Sequence, residues 1–308
     1  MSTSVITPGY QALHAHSAWL DLSARGKIRV LGEDRARLLH AMTTNHVQQL
    51  KPGEGCYAFF LNAQGRILGD VNLFCFEDHF LLDTEPETRH KLFEHLDRYI
   101  IADDVILVDE TDRIATIAIE GPEAAATLNT LCPLVPEIPY STTNRGERTI
   151  ARVDLTGADG FFIFTSTGDK PRVIHDLERA GAAPATLEEA TIVRLENGRP
   201  RYGEEITERF LVQETGQLEA VSFNKGCYLG QEIVERVRSR AQIHRILRRL
   251  EIDSSEAPPA GTKFEGGEIV SAILSPALGK VVAMAYVRTS NSEPGTDLTV
   301  AGAPARVT

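Results

Sequence analysis

No two cysteines of this 308-residue chain lie near one another; Cys56, Cys75, Cys132 and Cys227 are its four. That spacing excludes the short ligand runs of zinc and iron–sulfur sites, and the chain reads as thiol-reduced. Long hydrophobic runs are also missing, with no stretch near the ~20 apolar residues that cross a bilayer. Residues 1–25 contain His14, His16, Trp19 and Asp21 but neither the cationic start nor the apolar core of a secretion signal. The expectation is a cytoplasmic protein with no membrane partner. Positive charge is scarce as well: 32 Lys and Arg against 43 Asp and Glu leave a net charge of −11. A field of that sign repels nucleic-acid phosphates at long range. It excludes a general DNA- or RNA-coating role and leaves room only for a short tRNA contact.

What remains is an ordinary globular composition, 42% hydrophobic and 24% charged, long enough for two or three domains. Ile28 and Val30 alternate as a strand, and Gly32-Glu33-Asp34 opens a helix bearing Leu38, Leu39 and Met42. Strands follow at Tyr57–Leu61, Ile67–Phe76 and Phe80–Asp83, then an amphipathic helix with Leu92, Leu96, Tyr99 and Ile100. Val105–Val108 and Ile114–Ile119 are strands, and Pro122 leads into a helix over Ala124–Leu131. This rhythm predicts a ferredoxin-like α+β sandwich. A strand pair at Ile150–Val153 and Phe161–Phe164 precedes a helix with Asp169 as its cap, Pro171 in its first turn and Gly181 at its end. Thr186 and Glu189 form a capping box for the next helix. After the turn-rich break at Ser254–Gly261, strands at Gly267–Leu274, Lys280–Val287 and Leu298–Val307 predict a small β-barrel.

The segment Asn224-Lys225-Gly226-Cys227-Tyr228-Leu229-Gly230-Gln231-Glu232 places one thiol after a lysine and ahead of a helical stretch. A cation and a helix N-terminus both favour the thiolate, the nucleophilic and metal-binding form. The competing reading is a cysteine packed at a helix start, since free cysteines are often buried.

Several segments carry a family resemblance. Asp21-Leu22-Ser23, Gly26–Val30, Thr44-Asn45, Phe60–Leu68, Glu120-Gly121-Pro122, Arg194–Gly198 with Arg201-Tyr202-Gly203, and Ser275–Lys280 resemble the glycine-cleavage T-protein (aminomethyltransferase) superfamily. Within it, Lys225–Glu232 is similar to the signature of the YgfZ-type folate-binding proteins. The resemblance implies an α+β, T-protein-like three-domain arrangement around a central folate cavity. Residues 1–55 plus 121–242 would form the folate-binding core, split between two ferredoxin-like domains. Residues 56–120 would be an inserted ferredoxin-like domain, and 243–308 a C-terminal β-barrel. It also implies tetrahydrofolate as cofactor. The role implied is the assembly, maintenance or repair of iron–sulfur enzymes, with client or assembly proteins as partners and an indirect effect on tRNA modification. The alternative is a folate-dependent aminomethyl or one-carbon transferase. That branch requires an aspartate after the third strand, and Glu85–Phe93 has none. Gln231 also stands where that branch usually has an arginine. The expectation is a protein that is not a conventional aminomethyltransferase.

Cys227 is the candidate reactive residue. Glu196 is the leading pterin contact, because one carboxylate can accept both N–H groups of a 2-amino-4-oxo-pteridine; the competing reading is a solvated glutamate at a helix end. Tyr57 and Tyr228 are candidates to stack on a flat ring or simply to pack. Asn45 and Asn62 either face the cavity or make Asx turns. Asp70, in an apolar strand, faces either water or a ligand. Lys225 and Arg236 are further folate contacts. Arg236 heads the one basic concentration, with Arg238, Arg240, His244, Arg245, Arg248 and Arg249. That run is either a solvated, salt-bridged face or a site for a polyglutamylated folate tail. His14 and His16 sit on a candidate strand face, and His90 and His95 are wrongly spaced to share a metal on a helix.

Overall fold

The computed structural model describes residues 6–132, 134–240 and 243–308. The chain opens with helix α1 (Pro8–Ala15), capped by the Thr7 side chain, and β1 (Ala18–Asp21). His14 is therefore helical and His16 ends the helix, correcting the strand expected there. Next come β2 (Gly26–Leu31), α2 (Arg35–Met42), β3 (Gly55–Leu61), β4 (Ile67–Cys75), β5 (His79–Thr84), α3 (Arg89–Asp97) and β6 (Ile106–Asp109). The chain continues through β7 (Ile114–Glu120), α4 (Ala124–Leu131), β8 (Thr142–Arg145), β9 (Arg148–Ala151) and β10 (Gly160–Ser166). Helix α5 (Lys170–Arg179), β11 (Ala183–Pro184), α6 (Leu187–Glu196) and α7 (Gln231–Arg240) complete the α+β part. The C-terminal strands are β12 (Arg245–Ile252), β13 (Lys263–Phe264), β14 (Gly267–Ser275), β15 (Lys280–Arg288), β16 (Asp297–Val300) and β17 (Ala303–Val307).

These strands make three sheets. One has the order β11-β1-β7-β10-β9-β8, the second β3-β4-β5-β2-β6, and the third β13-β14-β15-β12-β17-β16. The pairing moves one expected boundary. Because β2 pairs with β5 and β6, the inserted unit runs from Gly26 to Asp109 and not over 56–120. Strand β7 instead joins β1 and β10 in the first sheet. The third sheet curls so that its edge strands β13 and β16 approach, giving a near-closed barrel. Its boundary at residue 242 lies outside the described residues.

Burial explains the layering. Leu38, Leu39, Leu92 and Leu96 from α2 and α3 cover one face of the second sheet, against Ile28, Val30, Phe60 and Leu73. Its other face meets the first sheet through Phe74 and Leu81, packed with Leu20, Phe162 and Phe164. Each such side chain withdrawn from water contributes about 1.5–3 kcal/mol before entropy is counted. Every residue of β4 is buried, the polar Asp70 and Asn72 included. Local signals hold in part. Thr186 and Glu189 make the reciprocal capping box on α6. Asp169 does not cap α5 with its side chain; its carboxylate accepts from Arg148 Nε at 2.6 Å and from Thr165.

Candidate functional site

Where the first two sheets face each other, an internal polar cleft is built from the ends of β3, β4 and β5 and the loops after β9 and α6. Its centre is Asp70 on β4, 8% exposed. One oxygen, Oδ2, accepts the Tyr57 hydroxyl at 2.7 Å; the other, Oδ1, is buried with no partner. Burial and the neighbouring charge of Glu85 raise the Asp70 carboxyl to about 6. Burial and Asp70 together push the Tyr57 phenol well above its ordinary range.

Around this pair runs an ion network. Arg25 grips Asp83 in a bidentate contact, Nε to Oδ1 at 3.0 Å and Nη2 to Oδ2 at 2.8 Å, and reaches Glu85 as well. Glu85 also pairs with Arg201 at 2.8 Å. Burial would raise the Glu85 carboxyl, but Arg25 and then Arg201 outweigh it and hold it below its usual value. Asn72 Nδ2 donates to Asp83 at 2.8 Å, and Arg25 lies 5.7 Å over the ring of Phe162. Lys27, fully buried, donates to the Ser23 carbonyl at 2.7 Å, and burial lowers its ammonium to about 8.

The accessible space inside this cleft is only about 40 Å³, but a chamber of about 360 Å³ adjoins it. Asp154 and Arg199 line both, and Tyr140 lines the outer one. Tyr140 holds a left-handed φ of 62°, a costly conformation for a tyrosine. Its ring lies nearly parallel to that of Tyr57, with centroids 6.4 Å apart and planes 13° apart. A larger hollow of about 460 Å³, between the β4–β5 turn and the β8–β9 hairpin, contains none of these buried carboxylates. Chemistry, not size, selects the cleft.

Of the residues singled out from sequence, Tyr57 and Asp70 are the two that line the cleft. Asn45 stands one bond behind them: its Nδ2 donates to the carbonyls of Tyr57 and Glu219, and its Oδ1 accepts the His46 N–H. Asn62 makes an Asx turn, accepting the N–H groups of Gln64 and Arg66. Both amides are consumed by backbone.

Glu196 is the largest correction. Its side chain is 5% exposed and accepts from Tyr10, His14 and Ser275, tying α1 and α6 to the start of the 275–280 loop. It does not line the cleft, and its oxygens are already taken. Tyr228 is buried in an apolar cluster, under the Lys225 ammonium at 4.8 Å. Lys225 itself donates to the carbonyls of His40, Thr43 and Asn45, closing the C-terminal end of α2, and burial lowers it to about 7. Arg236 is exposed and paired with Glu232. Arg238 pairs with Glu235, Arg245 with Glu214 and Arg249 with Glu251, while Arg248 donates to the Ser292 carbonyl. The side chain of Arg240 lies outside the described residues. The salt-bridged reading of the basic run fits this geometry.

Cys227 is exposed, whereas Cys75 and Cys132 are buried and Cys56 is half-buried. It lies four residues ahead of α7 and is not among the residues lining the cleft. Burial pushes the Cys56 thiol up to about 12 and raises Cys75. Among the described residues no cluster of His, Cys, Asp and Glu could hold a metal ion, and no helix is long and apolar enough to cross a membrane.

Sequence reasoning missed Arg25, Glu85, Arg199, Arg201 and Tyr140 as lining residues, while Asp70 was among its candidates. The absence of aspartate from 85–93 is real, but Asp70 supplies a buried carboxyl from β4 instead. The available signal was the mostly apolar run Ile67–Cys75 around Asp70 and Asn72, which marks a strand covered on both faces.

Comparisons with known proteins agree with this architecture. The profile of the GCVT N-terminal domain family matches residues 2–225. An aminomethyltransferase of Rubrobacter xylanophilus is 30% identical, over 90% of this chain and 78% of that protein. One from Streptomyces avermitilis is 28% identical, over 92% of this chain and 82% of its own length. The crystal structure of glycine cleavage system aminomethyltransferase T from Bartonella henselae superposes with a TM-score of 0.88, covering 97% of this chain and 87% of that one. At 22% identity that likeness speaks for the fold.

Proposed function

The chain belongs to the GCVT N-terminal domain family, and we propose that it binds a reduced folate in the Tyr57–Asp70 cleft as a YgfZ-type accessory protein for iron–sulfur enzymes. Its work is their assembly, maintenance or repair, with effects on tRNA modification following indirectly. The observation that carries folate binding is the free Oδ1 of Asp70, a buried acceptor facing the cleft and left for an incoming donor. A reduced pteridine presents such N–H donors. The parallel rings of Tyr57 and Tyr140 offer apolar faces to a flat heterocycle, and the Arg199 guanidinium offers donors to its carbonyl oxygens. The inner cleft is narrow, so a pteridine occupies the outer chamber and reaches Asp70 only as Tyr140 and Arg199 yield.

Bound folate would supply one-carbon carrying capacity. The protein's own contribution is to hold the ring, to exclude water through the Arg25–Glu85–Arg201 network, and to keep a proton at Asp70 below about pH 6. The exposed thiol of Cys227, on a loop anchored by Lys225, supports the accessory role. In cells lacking the protein, wild type is expected to restore iron–sulfur enzyme activity and Cys227→Ser is not. Full restoration by the serine variant would remove the thiol from the proposal.

Asp70 also favours a second reading, direct one-carbon transfer from an amine donor, because a carboxyl titrating near 6 is a competent proton-transfer group. A turnover assay with aminomethyl, dimethylglycine or sarcosine donors separates the two. Steady production of methylene-folate favours the transferase, and none favours the accessory protein.

A further inference from the structure

We infer that Glu120, which does not itself line the cleft, is the residue that positions the Asp154–Leu155 wall. The inference rests on the folate reading of that cleft. Glu120 ends β7 with no exposure at all. Its Oε1 accepts the Leu155 N–H at 2.9 Å. Its Oε2 accepts both the N–H of Thr156 at 3.2 Å and the Thr156 hydroxyl at 2.7 Å. From the other side, Asn197 Nδ2 donates to the Thr156 carbonyl at 2.8 Å. The loop between β9 and β10 is thus wound around one buried carboxylate, and Asp154 and Leu155, which line the cleft, sit at the point of attachment.

Stability alone does not account for this device. Among the described residues no lysine or arginine forms a salt bridge with Glu120, so hydrogen bonds alone offset the cost of burying its carboxyl. That cost and the nearby charge of Asp154 raise it to about 8. What the group achieves in return is to accept three donors from two successive residues, which fixes the backbone beside the cleft. Gln in its place keeps one acceptor but turns an N–H toward the Thr156 N–H.

The test is affinity for 5-formyltetrahydrofolate by calorimetry, on folded protein well below each variant's melting temperature. Glu120→Gln is expected to bind about tenfold more weakly, the effect of one hydrogen bond to the loop lost. Should that variant fold poorly, Thr156→Val removes a single donor and is expected to weaken binding about threefold, while Thr156→Ser restores it. The alkylation rate of Cys227, which lines neither the cleft nor the adjoining chamber, should stay constant throughout. Wild-type affinity in both Glu120→Gln and Thr156→Val would overturn the positioning role alone. Failure of the wild type to bind would overturn it together with the folate reading.

Discussion

Asp70 holds a carboxyl in a strand sealed on both faces, with one oxygen unsatisfied, and that arrangement costs stability. The folded state binds the Asp70 proton more tightly than the unfolded chain does. Its stabilising contribution is therefore whole below the unfolded value and is lost as pH rises through about 6. Asp70→Asn removes the titration. It is expected to gain about 2 kcal/mol over wild type at pH 7 and little near pH 4, measured by urea denaturation. Equal stability of the two proteins at both pH values would mean that Asp70 is not strained. Burial disfavours the charged form of Lys225 as well, lowering its ammonium to about 7, but here the partners are in place. Its ammonium joins three carbonyls at the C-terminal end of α2, so Lys225→Met, which removes their shared donor, is expected to lose about 3 kcal/mol in the same assay. An unchanged midpoint would deny it the anchoring role. At Cys227 the expectation concerns rate. One thiol should react promptly with a thiol reagent in the native protein and four after denaturation. Prompt reaction of a second native thiol would contradict the burial of the others.

Two glycines set how the β3–β4 turn meets α7. Gly230 has φ +85°, and a Cβ there would fall 2.7 Å from the Asn62 carbonyl. Gly65 has φ +69°, and its Cβ would fall on the Ile233 side chain. Gly230→Ala is therefore expected to destabilise by more than about 1 kcal/mol and to raise Cys227 reactivity by loosening its loop. Retention of wild-type stability would show that the turn can slide. The strands β3, β4, β10 and β15 were legible because periodicity and turn residues agree there. Strand β8 was not, since Thr142–Arg145 is a polar edge with no apolar alternation. Helix α1 was hidden by its shortness, though Thr7 and Pro8 are a cap and first-turn pair. Asp169 looked like a cap and was taken by Arg148, because a long-range cation outbid a local N–H.

At the scale of the molecule, the sheet order explains why the site was only partly legible. Tyr57 and Asp70 lie across a hairpin from each other, a relation that sequence can suggest. Arg25, Glu85 and the Arg199–Arg201 pair come from three separate loops that meet only when the two sheets close face to face. Glu196 illustrates the converse. A carboxylate at a helix end suggested a ligand, yet the C-terminal barrel brings Ser275 to it and uses it as an internal tie.

The most direct test of an internal folate site centred on Asp70 is a calorimetric titration with 5-formyltetrahydrofolate. Wild type, Asp70→Ala and Arg236→Ala would be compared. The expected result is one site in the wild type, at least tenfold weaker binding in Asp70→Ala, and no change in Arg236→Ala. Absence of heat in the wild type, or a loss confined to Arg236→Ala, would contradict it.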